Sequence, residues 1–346
     1  MKSLYAILVV VIVLLAVALA VADRAPVLRP EKDVDGKALP FGRRPHQPNN
    51  KPLGTGPFKA IMVEDPSLPD HTLYYPANIG SAAPLPVMTW GNGACLNAGN
   101  RFRDFLTEIA SHGFLVISGG PIANIKYEVG PQENPAVPAP GSNSTTNRGQ
   151  RATPPPAAPP AAPPAPGDAV GRNTAPQLIA AVDWAEKANK NSSSKFYKKL
   201  DTTKMGVGGQ SCGGGLAATV AADPRIKTVA IFSGAPGNSA NNALDAFHSP
   251  VLLIAGDAAH DIAHQRTIDT AAAITKLPVL MAWQDGLTHI GTYGMSNGGE
   301  LGQIAWQWFA WQLRGDQKAA MHFKGTDCGL CKENSDGWHV TKKMID

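Results

Sequence analysis

Twelve residues in mid-chain, Met205 to Leu216, run M-G-V-G-G-Q-S-C-G-G-G-L. Ser211 stands between Gly209 and Gly213, which makes G-x-S-x-G. The apolar residues up to Val207 have the character of a buried strand end, and Gly214 to Ala221 that of a helix. A strand that turns sharply into a helix holds its serine in a strained conformation, with room only for small residues two before and two after it. That geometry makes Ser211 a candidate nucleophile. Glycine is 35 of 346 residues, so any serine has about one chance in a hundred of such flanks, and the motif needs support from the rest of the chain. Cys212 is the rival nucleophile. A cysteine-centred elbow needs small residues at 210 and 214; Gly214 fits and Gln210 does not.

An activated serine needs a base, and the base needs an acid to orient it. On a parallel sheet these groups sit on loops beyond the carboxyl ends of strands, in the chain order Ser, then Asp or Glu, then His. The apolar run 251–255 leads into Gly256-Asp257-Ala258-Ala259-His260-Asp261, and the run 279–283 into Gln284-Asp285-Gly286-Leu287-Thr288-His289. Of nine histidines, His289 alone combines a late strand with a following glycine-rich loop. Asp257 and Asp261 both qualify as the acid; otherwise Asp257 is a turn residue and Asp261 a helix cap. His260, Asp261 and His264 lack a further ligand for a metal site. The oxyanion needs amide donors: the N–H of Cys212, and the loop Gly91-Asn92-Gly93-Ala94 after the strand ending at Trp90, with Asn92, Gly93 and Ala94 as candidates.

The elements that must position these residues follow from periodicity. Segments 58–64 and 71–75 form an opening hairpin around Asp65-Pro66-Ser67 and Pro69-Asp70. Pro84–Trp90, Phe114–Ser118, Ile226–Phe232, Val251–Ala255 and Val279–Trp283 are short continuous apolar runs. Helical patterns intervene at Arg101–His112, Ala175–Asn189 and Leu301–Leu313. Continuous apolar strands alternating with helices predict an α/β fold with a mostly parallel sheet covered on both faces.

Residues 1–22 carry Lys2, an uncharged run from Leu4 to Val21 and an Ala20-Val21-Ala22 cleavage signal, the pattern of a secretory signal peptide whose removal leaves no stable membrane anchor; the alternative is an uncleaved membrane anchor, because the run approaches spanning length. Residues 23–51 are a polar, Pro-rich leader. A catalytic domain is expected over 52–322, interrupted at 130–168 by a Pro/Ala-rich insertion that favours polyproline II or disorder. A tail, 323–346, reads as irregular and holds Cys328-x-x-Cys331. The net charge of +4, scattered without a basic stripe, argues against nucleic acid as a partner. Four cysteines in an exported chain suggest two disulfides. The C-x-x-C closes locally, which leaves Cys95 for Cys212.

The segments HTLYYPAN, PVMTWGNG, FLTEIASHGFLVI, LIAAVDWA, GGQSCGGG, SPVLLIAGDAAHD, LTHIGTYG and AWQWFAWQLRGD resemble the α/β-hydrolase superfamily. More narrowly they resemble secreted serine hydrolases of the chlorophyllase, dienelactone hydrolase-like and cutinase-like polyester hydrolase group, over about Gly56 to Gly325. The resemblance implies a serine carboxylic-ester hydrolase (esterase, lipase or cutinase-like) acting on a small or polymeric ester through an acyl-enzyme, with neither metal nor organic cofactor. In such enzymes the acid comes a few residues beyond the glycine after the strand, which favours Asp261, and the histidine of a T-H-x-G-T-Y loop matches His289. An acyltransferase or peptidase with the same triad, and a non-catalytic binding protein on this scaffold, are the other classes the sequence admits.

Overall fold

The computed structural model describes residues 53–123, 171–236, 244–332 and 337–346. The segments expected to be a signal peptide (1–22), a leader (23–51) and an insertion (130–168) lie outside the described residues. A nine-stranded sheet runs in the order β1-β2-β4-β3-β5-β6-β7-β8-β9. Its strands are β1 (Ala60–Val63), β2 (His71–Pro76), β3 (Leu85–Gly91), β4 (Leu115–Gly119), β5 (Leu200–Gln210), β6 (Ile226–Phe232), β7 (Val251–Gly256), β8 (Val279–Gln284) and β9 (Trp338–Lys343). From β4 to β8 every neighbouring pair is parallel. The hairpin β1–β2 and the last strand, β9, are antiparallel additions at the two edges.

The continuous apolar runs have a direct reason. Along β7, Leu252 and Ile254 join one core cluster, while Val251, Leu253 and Ala255 join the other. A strand buried on both faces has no polar side to show, which is why strict alternation is missing from the sequence. One face is covered by α1 (Arg103–Ser111) and α5 (Gly299–Arg314), through residues such as Phe105, Ile109, Ile304 and Trp308. The other is covered by α2 (Ala175–Lys190), α3 (Cys212–Val220) and α4 (His264–Ala273), through Leu178, Val182, Val220 and Ala271. Helix α2 starts on a Thr174 cap that accepts from the Gln177 amide, with Pro176 in its first turn, and ends with Lys187 and Lys190. These are the start and stop signals a helix dipole favours.

The tail departs from its sequence-based expectation of irregular structure. Trp338–Lys343 pairs with β8 in the register Gln284↔Trp338 to Val279↔Lys343. Only Trp338 of this strand is buried. A six-residue run with one buried aromatic, exposed His339 and Thr341 and half-buried Lys342 and Lys343 is how an edge strand is protected from further pairing, and it resembles a polar tail when read by composition. Lys343 Nζ also donates to the carbonyls of Ala271, Ala272 and Ile274 at the end of α4 (2.6, 3.0 and 3.2 Å), where a helix dipole welcomes a cation.

The sheet order reverses between β3 and β5. The chain leaves β3 toward β4 on one side, and the strands from β5 onward build on the other. Loops leaving the carboxyl ends at such a switch point diverge and open a crevice. The loop at 92–96 and the turn at Ser211 leave the sheet there.

Candidate active site

Strand β5 ends at Gln210, and α3 begins at Cys212. Ser211 alone makes the turn, at φ 54° and ψ −120°, a conformation that costs a non-glycine residue energy and is held only where the surroundings impose it. Its N–H donates to the Phe232 carbonyl at 2.9 Å, and its carbonyl accepts from Gly215. The flanking glycines are required by close backbone contacts. A Cβ on Gly209 would overlap the Gly213 carbonyl, and one on Gly213 would overlap the Gly91 carbonyl at the end of β3. The elbow is thereby packed against the β3 loop.

The loop after β8 brings His289 to this turn. Its Nε2 lies 2.9 Å from Ser211 Oγ and its Nδ1 lies 2.7 Å from Asp261 Oδ1. An ionised carboxylate only accepts, so the partners assign the proton to Nδ1 and leave Nε2 to accept from the Ser211 hydroxyl. Asp261 is buried. It also accepts from the Gly256 and Ala263 amides, both at 2.8 Å. Burial by itself would raise its pKa; the hydrogen bonds from His289, Ala263 and Gly256 outweigh that and hold the carboxyl below the usual range. A lowered folded-state pKa contributes stability above the unfolded value of about 4, and that contribution is lost as pH falls through the folded value.

Asp257 is turned elsewhere. It accepts from the amides of Ala259 and His260 and pairs with His260 Nδ1 at 2.7 Å. Its second oxygen accepts from Gly286 N–H at 2.6 Å. Asp257 thus ties its own loop to the one carrying His289, whose amide donates to the His260 carbonyl, and it makes no contact with the His289 ring. His264 donates from Nδ1 to the Gly256 carbonyl, so His260, Asp261 and His264 each have a different partner. No group of three or more His, Cys, Asp or Glu side chains is arranged to hold a metal ion among the described residues.

Of the amides expected to face an oxyanion, Asn92 is already engaged: its N–H donates to Asn173 Oδ1 at 3.1 Å. Its side chain reaches the carbonyls of Leu96, Ala98 and Gly119, so Asn92 is an anchor of the loop and does not offer a free donor. The N–H groups of Gly93, Ala94 and Cys212 have no acceptor among the described residues. Ala94 and Cys95 both have positive φ, 57° and 49°. This second strained turn is joined to the elbow by a disulfide from Cys95 to Cys212, with Cα atoms 5.2 Å apart. Cys212 therefore has no free thiol with which to rival Ser211. Cys328 and Cys331 form the local disulfide.

The Cys95–Cys212 bond joins residues 117 apart in sequence, a cross-link worth about 4–5 kcal/mol in the chain-entropy model and often less in practice. It also fixes the spacing of the two groups of free amides. Mild reduction is expected to lower kcat on an ester before the far-ultraviolet circular dichroism changes. Full activity with both Cys95 and Cys212 titratable as thiols would contradict this, as would loss of activity only on unfolding.

Gln210, Asn173 and Arg266 are site residues that sequence reasoning missed. Gln210 is buried, and its Nε2 donates to the His289 carbonyl at 2.8 Å, so the residue before the serine holds the histidine loop. A bulky polar residue inside a glycine-rich elbow was the one available signal. Asn173 and Arg266 carry no such mark in the sequence. A cavity of about 280 Å³ opens beside Ser211 and His289, lined further by Cys212, Ile262, Ala263 and Arg266 among others.

A mostly parallel sheet with helices on both faces, and a nucleophile-elbow turn at the end of β5, define the α/β-hydrolase fold. A family model described as PET hydrolase-like matches residues 170–273, less than a third of the chain. The matched stretch runs from just before α2 to the end of α4 and contains both Ser211 and Asp261. No curated protein matches the chain.

Proposed function

We propose that this chain is an exported serine hydrolase that cleaves carboxylic esters through Ser211, His289 and Asp261. The observation that carries this reading is the unbroken hydrogen-bonded line from Asp261 through His289 to Ser211 Oγ, ending on a strained elbow. His289 Nε2 takes the hydroxyl proton as Ser211 Oγ attacks the ester carbonyl. Asp261 keeps the imidazole in the required tautomer and stabilises the imidazolium that forms. The negative charge on the carbonyl oxygen is met by the Cys212 amide and by Gly93 and Ala94 across the disulfide. His289 then gives its proton to the departing alcohol, leaving an acyl-enzyme. Water enters, gives a proton to His289 and attacks the acyl carbon; the acyl–Oγ bond then breaks, Ser211 Oγ takes the proton back from His289, and the acid leaves. Every step falls to a side chain or backbone amide of this chain.

The family match adds polymeric esters to the substrates worth testing. Export is supported by the signal-peptide pattern at 1–22 and by two disulfides, which persist in oxidising compartments. No helix among the described residues is long and apolar enough to cross a membrane. The test is hydrolysis of 4-nitrophenyl acetate and of an aliphatic polyester film by the oxidised protein, with 4-nitroacetanilide as the amide control. Release of acid from the esters, with part of the acyl group diverted to an added alcohol, is the expected result. A disulfide-intact, folded protein that hydrolyses none of the esters would overturn the proposal, and preference for the amide would make it a peptidase.

A further inference from the structure

The cavity beside Ser211 has an uneven charge. None of the described residues lining it is acidic, and Arg266 lies in its wall. Arg266 makes no ion pair among the described residues; one Nη donates to the Pro236 carbonyl at 3.0 Å. The described carboxylates nearest to it in sequence are engaged otherwise. Asp261 is buried and bonded to His289, Ala263 and Gly256. Asp269, one turn along α4, accepts from Gln265 at 2.9 Å. Asp257 is held by His260 and Gly286. A second guanidinium, that of Arg172, comes within 3.9 Å of Cys212 Sγ. Helix α3 also begins at this wall, beside Ser211, so the partial positive charge of its N-terminus is on the same side as Arg266; the start of α4 is already met by the Asp261 carboxylate through the Ala263 amide.

Resting on the ester-hydrolase reading, we propose that this cavity selects esters bearing a carboxylate a few bonds from the scissile group, half-esters of dicarboxylic acids above all, with Arg266 as the specificity-determining residue. Ile262 and Ala263 supply apolar contact for the short spacer, and Ile262 is 76% exposed at the rim. The Arg266 side chain is itself exposed, so water and salt screen the pairing and its effect is modest.

The test compares matched esters on the same enzyme. Mono-4-nitrophenyl glutarate and 4-nitrophenyl glutaramate differ only in a terminal carboxylate or amide on the acyl side. The pair 4-acetoxybenzoate and 4-acetoxybenzamide places the same difference on the alcohol side. The wild-type kcat/KM ratio, charged over neutral, is expected to exceed one by about fivefold on at least one pair, through KM, and to shrink with added salt. Arg266→Gln should bring that ratio to one, and Arg266→Lys should retain part of it. Because each ratio is taken within one protein, a general loss of activity cancels. A wild-type ratio of one or less on both pairs, or a ratio unchanged in Arg266→Gln, would overturn the inference and leave the esterase reading intact. Absence of hydrolysis of all four esters by the folded wild type would overturn both.

Discussion

Ser211→Ala is expected to lower kcat on a short 4-nitrophenyl ester by roughly 10⁵- to 10⁶-fold, the scale seen when a nucleophile is removed from a triad that acts as a unit. The alanine keeps the backbone amides of the elbow and leaves His289 and Asp261 in place, so the remaining rate measures what the donors and cavity do alone. Cys212 offers no substitute, because its sulfur is bonded to Cys95. The variant should keep its melting temperature within a few degrees, since only one oxygen is lost at a half-buried position. Steady-state kinetics on protein purified in a host lacking other esterases checks this, and turnover near the wild-type value would contradict the role given to Ser211.

Asp261→Asn is expected to cost about 10⁴-fold in kcat, as removal of the orienting carboxylate does in the best-studied triad. The amide leaves the shape intact but can present its N–H₂ to His289 Nδ1. That favours the tautomer with the proton on Nε2, where it cannot accept from Ser211. Asp257→Asn is the control. Asp257 touches His260 and the Gly286 amide and not the His289 ring, so its loss should loosen the His289 loop and cost tenfold or less. Both variants are to be compared at equal folded fraction. A larger loss at Asp257 would exchange the two assignments.

Much of this arrangement was legible in the sequence because it is encoded locally. Gly209 and Gly213 are there because backbone atoms leave no room for a Cβ. The apolar runs of β6, β7 and β8 are there because both faces of those strands are covered. What is set by contacts between distant segments was not legible. The choice between Asp257 and Asp261 needs the direction in which the 257–261 turn points its side chains, and spacing does not supply it. Asn92 has the sequence context of an amide donor, yet Asn173, 81 residues away, takes its N–H. Strand β9 hid in a polar tail because an edge strand buries one residue of its six. Gln210 and Arg266 gain meaning only from the His289 carbonyl and the cavity wall that the fold brings to them.

Labelling by a fluorophosphonate probe tests the central assignment most directly. The reagent phosphonylates a serine only where a base has activated its hydroxyl and amides stabilise the charged oxygen. The oxidised wild-type protein is expected to take up one equivalent, mapped by peptide mass to the segment containing Ser211. Labelling should disappear in Ser211→Ala and slow sharply in Asp261→Asn. A folded wild-type protein that takes up no probe, or one labelled at a site that persists in Ser211→Ala, would contradict the account.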